Sequence, residues 1–143
     1  SVNIFIFHYY NFLIWKLINI TGVDLNLQFP AGWEQAKEIK FEQGFTKPAP
    51  RDYVGLGPLT EPESLALYNF TLAHNFRLTI AYHTQGKEIY WKFLDYMPPE
   101  ALQIANIFGQ VSGYNVVNPP YASSFAGFKD WFIQQYNRPR LYY

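Results

Sequence analysis

The sequence predicts an α/β domain, because segments with helix starts and helical spacing alternate with short apolar strands along 143 residues. A hydrophobic share of 49% at this length is enough for one core, so a single domain is expected. No internal repeat or low-complexity tract interrupts that alternation.

Taken in order, the first fifteen residues are rich in aromatic and β-branched types but lack clean alternation and turn signals, so no element is assigned to them. Their apolar run, Ile4 to Trp15, contains His8 and Asn11 and is far shorter than the about 20 residues of a spanning helix. It also lacks the basic start and small-residue cleavage site of a signal peptide, so no membrane span is predicted. Gly22-Val23-Asp24-Leu25-Asn26-Leu27-Gln28-Phe29 alternates loosely and stops at Pro30, which predicts a short strand. Residues 30–59 carry so many Gly and Pro residues that they read as loop. Gly55-Leu56-Gly57 is not a phosphate loop, since no strand precedes it and no lysine follows.

Thr60-Glu61-Pro62-Glu63 offers a capping box with Pro in the first turn and starts a helix that runs to about Asn75, with Leu65, Tyr68 and Leu72 on one face. A strand at 76–83 follows, with Phe76, Leu78, Ile80 and Tyr82 on one side and Arg77, Thr79, Ala81 and His83 on the other. Glu88-Ile89-Tyr90-Trp91 is a further strand. Pro98-Pro99-Glu100 opens a helix in which Ala101, Ile104, Ala105, Phe108 and Val111 keep helical spacing until Gly113 stops it. Tyr114 to Val117 is a short strand ended by Pro119-Pro120, and a last helix near 127–136 places Phe128, Trp131, Phe132 and Gln135 on one side.

Composition excludes several classes of function. The formal charge is zero with no basic block, so there is no footprint for nucleic acid. Cysteine is absent, which removes disulfides, thiolate metal sites and cysteine nucleophiles, and leaves the compartment unknown. His83 stands out because it closes the 76–83 strand, and ligands of open α/β sheets collect beyond the carboxyl ends of strands. Taken alone, a histidine there reads either as hydrogen-bonded structure or as a ligand.

Five motifs in fixed order sharpen that choice. Gly22-Val23-Asp24-Leu25-Asn26, then Gln28-Phe29-Pro30-Ala31, Leu59-Thr60-Glu61-Pro62-Glu63, His83-Thr84-Gln85-Gly86 and Ala126-Gly127-Phe128-Lys129-Asp130-Trp131-Phe132 together resemble the zinc carboxypeptidase family of the carboxypeptidase A type. Within it, the chain looks most like the bacterial γ-D-glutamyl-L-diamino acid endopeptidases. The resemblance implies an incomplete, C-terminal portion of a carboxypeptidase-like mixed sheet flanked by helices, with a peptide or muropeptide as substrate and zinc as the cofactor of intact relatives. By the same resemblance, His83 matches the third zinc ligand and Asn26 the asparagine that helps to bind a substrate carboxylate. Leu27 stands where exopeptidase relatives carry an arginine clamp, which favours the endopeptidase-like branch. Tyr121 corresponds to a mobile tyrosine near the substrate. Asp130 matches a pocket aspartate that would meet a cationic diamino acid, or else it is a helix-surface carboxylate paired with Lys129 or water.

The rest of the family's zinc set has no counterpart. The first two ligands belong to a His-x-x-Glu motif, whereas here His8 is followed three residues later by Asn11, His74 by Arg77 and His83 by Gly86. The family's general base is a glutamate soon after Gln-Tyr-x-Arg-Pro. Here Gln135-Tyr136-Asn137-Arg138-Pro139 is followed by Arg140-Leu141-Tyr142-Tyr143. A catalytic zinc needs three protein ligands, so this chain is not expected to bind zinc firmly or to hydrolyse peptides. The expected organisation is an atypical apolar segment at 1–14, a partial zinc peptidase domain at 15–139 and an atypical tail at 140–143, as a frameshift or rearrangement would leave. Three functional readings follow: an inactive portion of a cell-wall metallopeptidase, a non-catalytic peptide-binding module, or a remnant without function.

Overall fold

The computed structural model describes residues 4–8, 19–83 and 86–142. Among them lie β1 (Ile4–His8), α1 (Trp33–Glu42), α2 (Pro62–Leu72), β2 (Leu78–Tyr82), β3 (Glu88–Tyr90), α3 (Ala101–Ser112), β4 (Asn115–Val117), α4 (Phe128–Tyr136) and β5 (Arg140–Tyr142), with 3₁₀ turns at Leu25–Leu27 and Tyr121–Ser123. The strands form one mixed sheet in the order β1-β2-β5-β3-β4. β1 and β5 both run parallel to β2, β3 runs parallel to β4, and the antiparallel step falls between β3 and β5. The α/β class and the flanked mixed sheet are therefore as the sequence predicts.

β2 explains itself physically. Leu78, Thr79, Ile80 and Ala81 are all buried, as expected of a strand with parallel neighbours and both faces covered. Two cores share the structure. The larger gathers Phe29, Trp33, Val54, Phe93, Phe125, Phe128, Trp131, Phe132 and Ile133, and the smaller joins Leu78, Ile80, Ile89 and Trp91 to Ala101 and Ala105 of α3. Aromatic rings interlock in the first, with Phe29 5.1 Å from Phe128 and Tyr68 4.6 Å from Trp131 between centroids.

Four local readings need correction. The stretch 30–59 contains α1, whose Glu, Gln, Ala, Lys and Ile residues run without Gly or Pro from Trp33 to Glu42 and whose Trp33 and Ala36 are buried. Within residues 22–29 the predicted strand is replaced by the 3₁₀ turn Leu25–Leu27, because the Asp24 side chain accepts the Asn26 N–H and curls the backbone. Thr60 does not cap α2: its N–H and hydroxyl both go to the buried Gln28 Oε1, and Glu61 takes the N-cap position. That helix ends at Leu72, where a turn from Ala73 to Asn75 leads into the sheet.

The two atypical flanks enter the sheet. β1 lies within residues 1–14, and β5 occupies residues 140–142 between β2 and β3. Arg138 guides the chain there by donating to Asn75 Oδ1 at 2.6 Å and to the Phe76 carbonyl at 2.8 Å, just ahead of β2.

Candidate functional site

The site is built from the turn at Asp24. One carboxylate oxygen accepts the Asn26 N–H and the other accepts the Asp52 N–H, each at 3.0 Å, while the Asp24 N–H donates to the Tyr53 carbonyl at 2.8 Å. This ties Asn26 to the 52–55 segment. Burial raises the Asp24 pKa above the ordinary aspartate value, against the pull of its two backbone donors. Asp52 behaves oppositely: although desolvation opposes it, hydrogen bonds from Lys40 and Arg51 hold its pKa below the ordinary value.

Next along the chain, Gln28 has no exposed surface and satisfies its whole amide. Its NH₂ donates to the carbonyls of Val54 (2.7 Å) and Gly57 (3.1 Å), and its oxygen accepts from the N–H groups of Thr60 (3.0 Å) and Glu61 (3.2 Å). Gly55 can sit here only without a side chain, since its φ is +84° and a Cβ would lie 2.8 Å from the Gln28 amide nitrogen.

A two-bond clamp then joins this segment to the start of α4. Phe29 N–H donates to the Ala126 carbonyl at 2.9 Å, and Ala126 N–H donates to the Ala31 carbonyl at 2.8 Å. The clamp brings the turn that holds Asn26 alongside the start of α4, which holds Asp130. A Cβ placed on Gly127 would meet Asp130 Oδ2 at 2.6 Å and the Asn26 carbonyl at 3.7 Å. Asp130 reaches back to accept the Gly127 N–H at 3.0 Å, closing the first turn of α4 as an N3 carboxylate can.

Asp130 is 2% exposed and forms a buried ion pair with Lys129. It is therefore not on the helix surface, although Lys129 is its partner. Lys129 also donates to the Lys92 carbonyl at 2.8 Å. Lys92 in turn lines a cavity of about 410 Å³ together with Asp95, Asn118, Tyr121 and Ser124. Tyr121 is 63% exposed on that rim and meets the Phe125 ring edge-on at 5.0 Å. Tyr121 and Asp130 thus belong to one neighbourhood, linked through Lys92 and Lys129.

His83 follows β2 at its carboxyl end and is half-buried. The register pairs His8 with Tyr82, so two histidine positions stand near one another at the same edge of adjacent parallel strands. His74 is elsewhere, at the end of α2, where its Nδ1 lies 2.7 Å from the Phe70 carbonyl and its ring stacks on Phe76. Among the described residues, no group of three His, Asp or Glu side chains could hold a metal ion.

The profile of the zinc carboxypeptidase family matches residues 12–139. The chain belongs to the zinc carboxypeptidase family. It is 47% identical over 129 residues to γ-D-glutamyl-L-diamino acid endopeptidase 1 of Lysinibacillus sphaericus, covering 90% of this chain and 31% of that relative. It is 43% identical over 129 residues to the protein YqgT of Bacillus subtilis strain 168, covering 90% of this chain and 33% of YqgT. The chain thus spans about a third of the length of these relatives. Among solved structures it resembles carboxypeptidase A from Helicoverpa armigera, with a TM-score of 0.65 at 22% identity over 93% of this chain and 34% of the other. It also resembles thrombin activatable fibrinolysis inhibitor, with a TM-score of 0.59 at 14% identity over 92% and 35%. At those identities the likeness shows the fold alone.

Among the described residues, the donor set does not fit a catalytic zinc. His83 offers one imidazole, His74 is engaged with Phe70 and Phe76, and the chain has no cysteine. Three ligands and an open position define a catalytic zinc site, and the described residues do not assemble them. Sequence reasoning offered Lys129 as a partner of Asp130 only on the helix surface and so missed the burial of the pair, and it missed the Lys40–Asp52–Arg51 cluster. The signal for Lys129 was its place beside an aspartate in a segment that is otherwise wholly apolar on its inward face.

Proposed function

We propose that this chain is the recognition portion of a cell-wall peptidase of the γ-D-glutamyl-diamino acid type, and that alone it binds peptide without hydrolysing it. In this reading Asn26, Tyr121 and Asp130 hold the peptide, and His83 is the one zinc ligand the chain contributes to an intact relative's site. The observation that carries the proposal is the Phe29–Ala126–Ala31 clamp, which organises the Asn26 and Asp130 turns through backbone hydrogen bonds and needs no metal. Leu27 adds to it. That side chain packs against the larger core, so the position following Asn26 offers apolar surface where exopeptidase relatives carry an arginine.

Calorimetric titration with a γ-D-glutamyl-diaminopimelate peptide in the presence of a chelator tests the binding half. Saturable binding that Asn26→Ala weakens is the predicted result. No binding at millimolar peptide to a folded chain would remove the recognition reading and leave that of a remnant without function.

A further inference from the structure

We infer that the outer face of α2 is a self-association surface, on which a second copy of this chain docks through Leu65, Asn69 and Leu72. This partner is additional to the peptide of the reading above, and its docking does not depend on that reading.

The burial of α2 is inverted. Its buried positions are Ser64 and Thr71, whereas Leu65 and Leu72 are 42% and 49% exposed. The Thr71 hydroxyl turns back to the Leu67 carbonyl at 2.8 Å, and the Ser64 hydroxyl has no hydrogen-bond partner among the described residues. A surface helix ordinarily turns its apolar residues to the core. Here the leucines point outward, as they do on a helix whose cover is a separate molecule. Leu65, Asn69 and Leu72 are all exposed and fall on one stripe, at the spacing of a helix-pairing seam with a polar residue between two leucines.

Charge decides what fits that stripe. No lysine, arginine, aspartate or glutamate lies between Glu63 and Arg77, so a strongly acidic or basic partner finds nothing there to pair with. A lipid surface would favour flanking cations, whereas α2 opens on Glu61 and Glu63. An uncharged stripe meets a copy of itself without repulsion, and the zero formal charge of the chain sets no long-range barrier to that encounter. With a two-fold axis across the helices they run antiparallel, and each Leu65 packs on a Leu72. The two Asn69 amides then meet near the axis, each able to donate and accept, and fix the register. A helix of 11 residues is about 16 Å long, so its face falls short of the about 800 Å² per partner of a standard interface. The pair is therefore weak and dissociates on dilution.

The test is sedimentation velocity on the full 143-residue chain over a series from about 1 μM to about 1 mM. The expected result is a reversible change from monomer to a species of twice its mass, with a midpoint of about 10–100 μM. Leu72→Glu and Leu65→Lys should each weaken association about tenfold or more. Mixing the two variants should restore it, because the introduced charges then face each other across the antiparallel pair. A chain that stays monomeric throughout, association unchanged in a folded Leu72→Glu, or growth past the dimer without a plateau would overturn the inference. So would flotation with phosphatidylcholine vesicles that Leu72→Glu abolishes, which would assign the face to a lipid surface. Circular dichroism checks folding, and the alanine substitution at the same position, which a helix tolerates, replaces any variant that does not fold.

Discussion

Phe29 and Ala126, far apart in the chain, are joined by a 2.9 Å backbone hydrogen bond, and both are buried. Ala126 adopts φ +59°, a left-handed conformation that is costly for branched side chains, and its methyl group has no exposed surface. Ala126→Val should therefore lower stability by about 2–4 kcal/mol through strain and overpacking. It should also weaken peptide binding, because the clamp sets both recognition turns. Urea unfolding read by tryptophan fluorescence checks the first effect and calorimetry the second.

Gln28 is the hub of the 54–61 loop, with four backbone groups dependent on its amide. Replacement by leucine keeps much of the volume but takes the Gln28 bond from four backbone groups, leaving the Val54 carbonyl only the longer 3.3 Å bond from the Trp33 indole N–H. A loss of about 2–4 kcal/mol is expected in denaturant unfolding, far more than a surface glutamine would cost.

Thr79 makes the contrary case. Its hydroxyl is buried in β2 without a hydrogen-bond partner among the described residues. Thr79→Val removes that desolvated hydroxyl at nearly constant shape, so stability should be unchanged or rise by up to about 1 kcal/mol. A loss of more than about 1 kcal/mol in urea unfolding would show that the hydroxyl is satisfied.

Asp24 and Asp52 should titrate on opposite sides of the ordinary aspartate value. Because the Asp52 pKa is lowered on folding, its contribution is present above the unfolded value and is lost as pH falls through the folded one, below about pH 4. Asp24, whose pKa burial raises, favours folding most at low pH and loses that contribution as pH rises through its folded value. Carbon-detected NMR titration of the two carboxyl groups checks the order. Asp52→Asn should flatten the acid limb of the stability profile.

Much of the fold was legible because particular residues announce it. Gly113 stops α3, the alternating apolar run identifies β2, and Phe128, Trp131 and Phe132 mark the inward side of α4. α1 was hidden by Gly and Pro residues on either side of a ten-residue run of good helix formers, and the Leu25–Leu27 turn by a carboxylate that competes locally for the backbone. The motif residues of the site were named by resemblance, and the burial of the Lys129–Asp130 pair was not legible. Whether a lysine beside an aspartate faces water or its neighbour depends on a helix start buried on all sides, which only packing decides.

In the proposed function, this chain recognises peptide without building a hydrolytic zinc site. Zinc titration of the chelator-stripped chain, followed by an assay on γ-D-glutamyl-diaminopimelate peptide with and without zinc, tests it most directly. The account predicts no tight stoichiometric zinc and no turnover, with His83→Ala indistinguishable from the unaltered chain in both. Stoichiometric tight zinc together with zinc-dependent release of the diamino acid would contradict it.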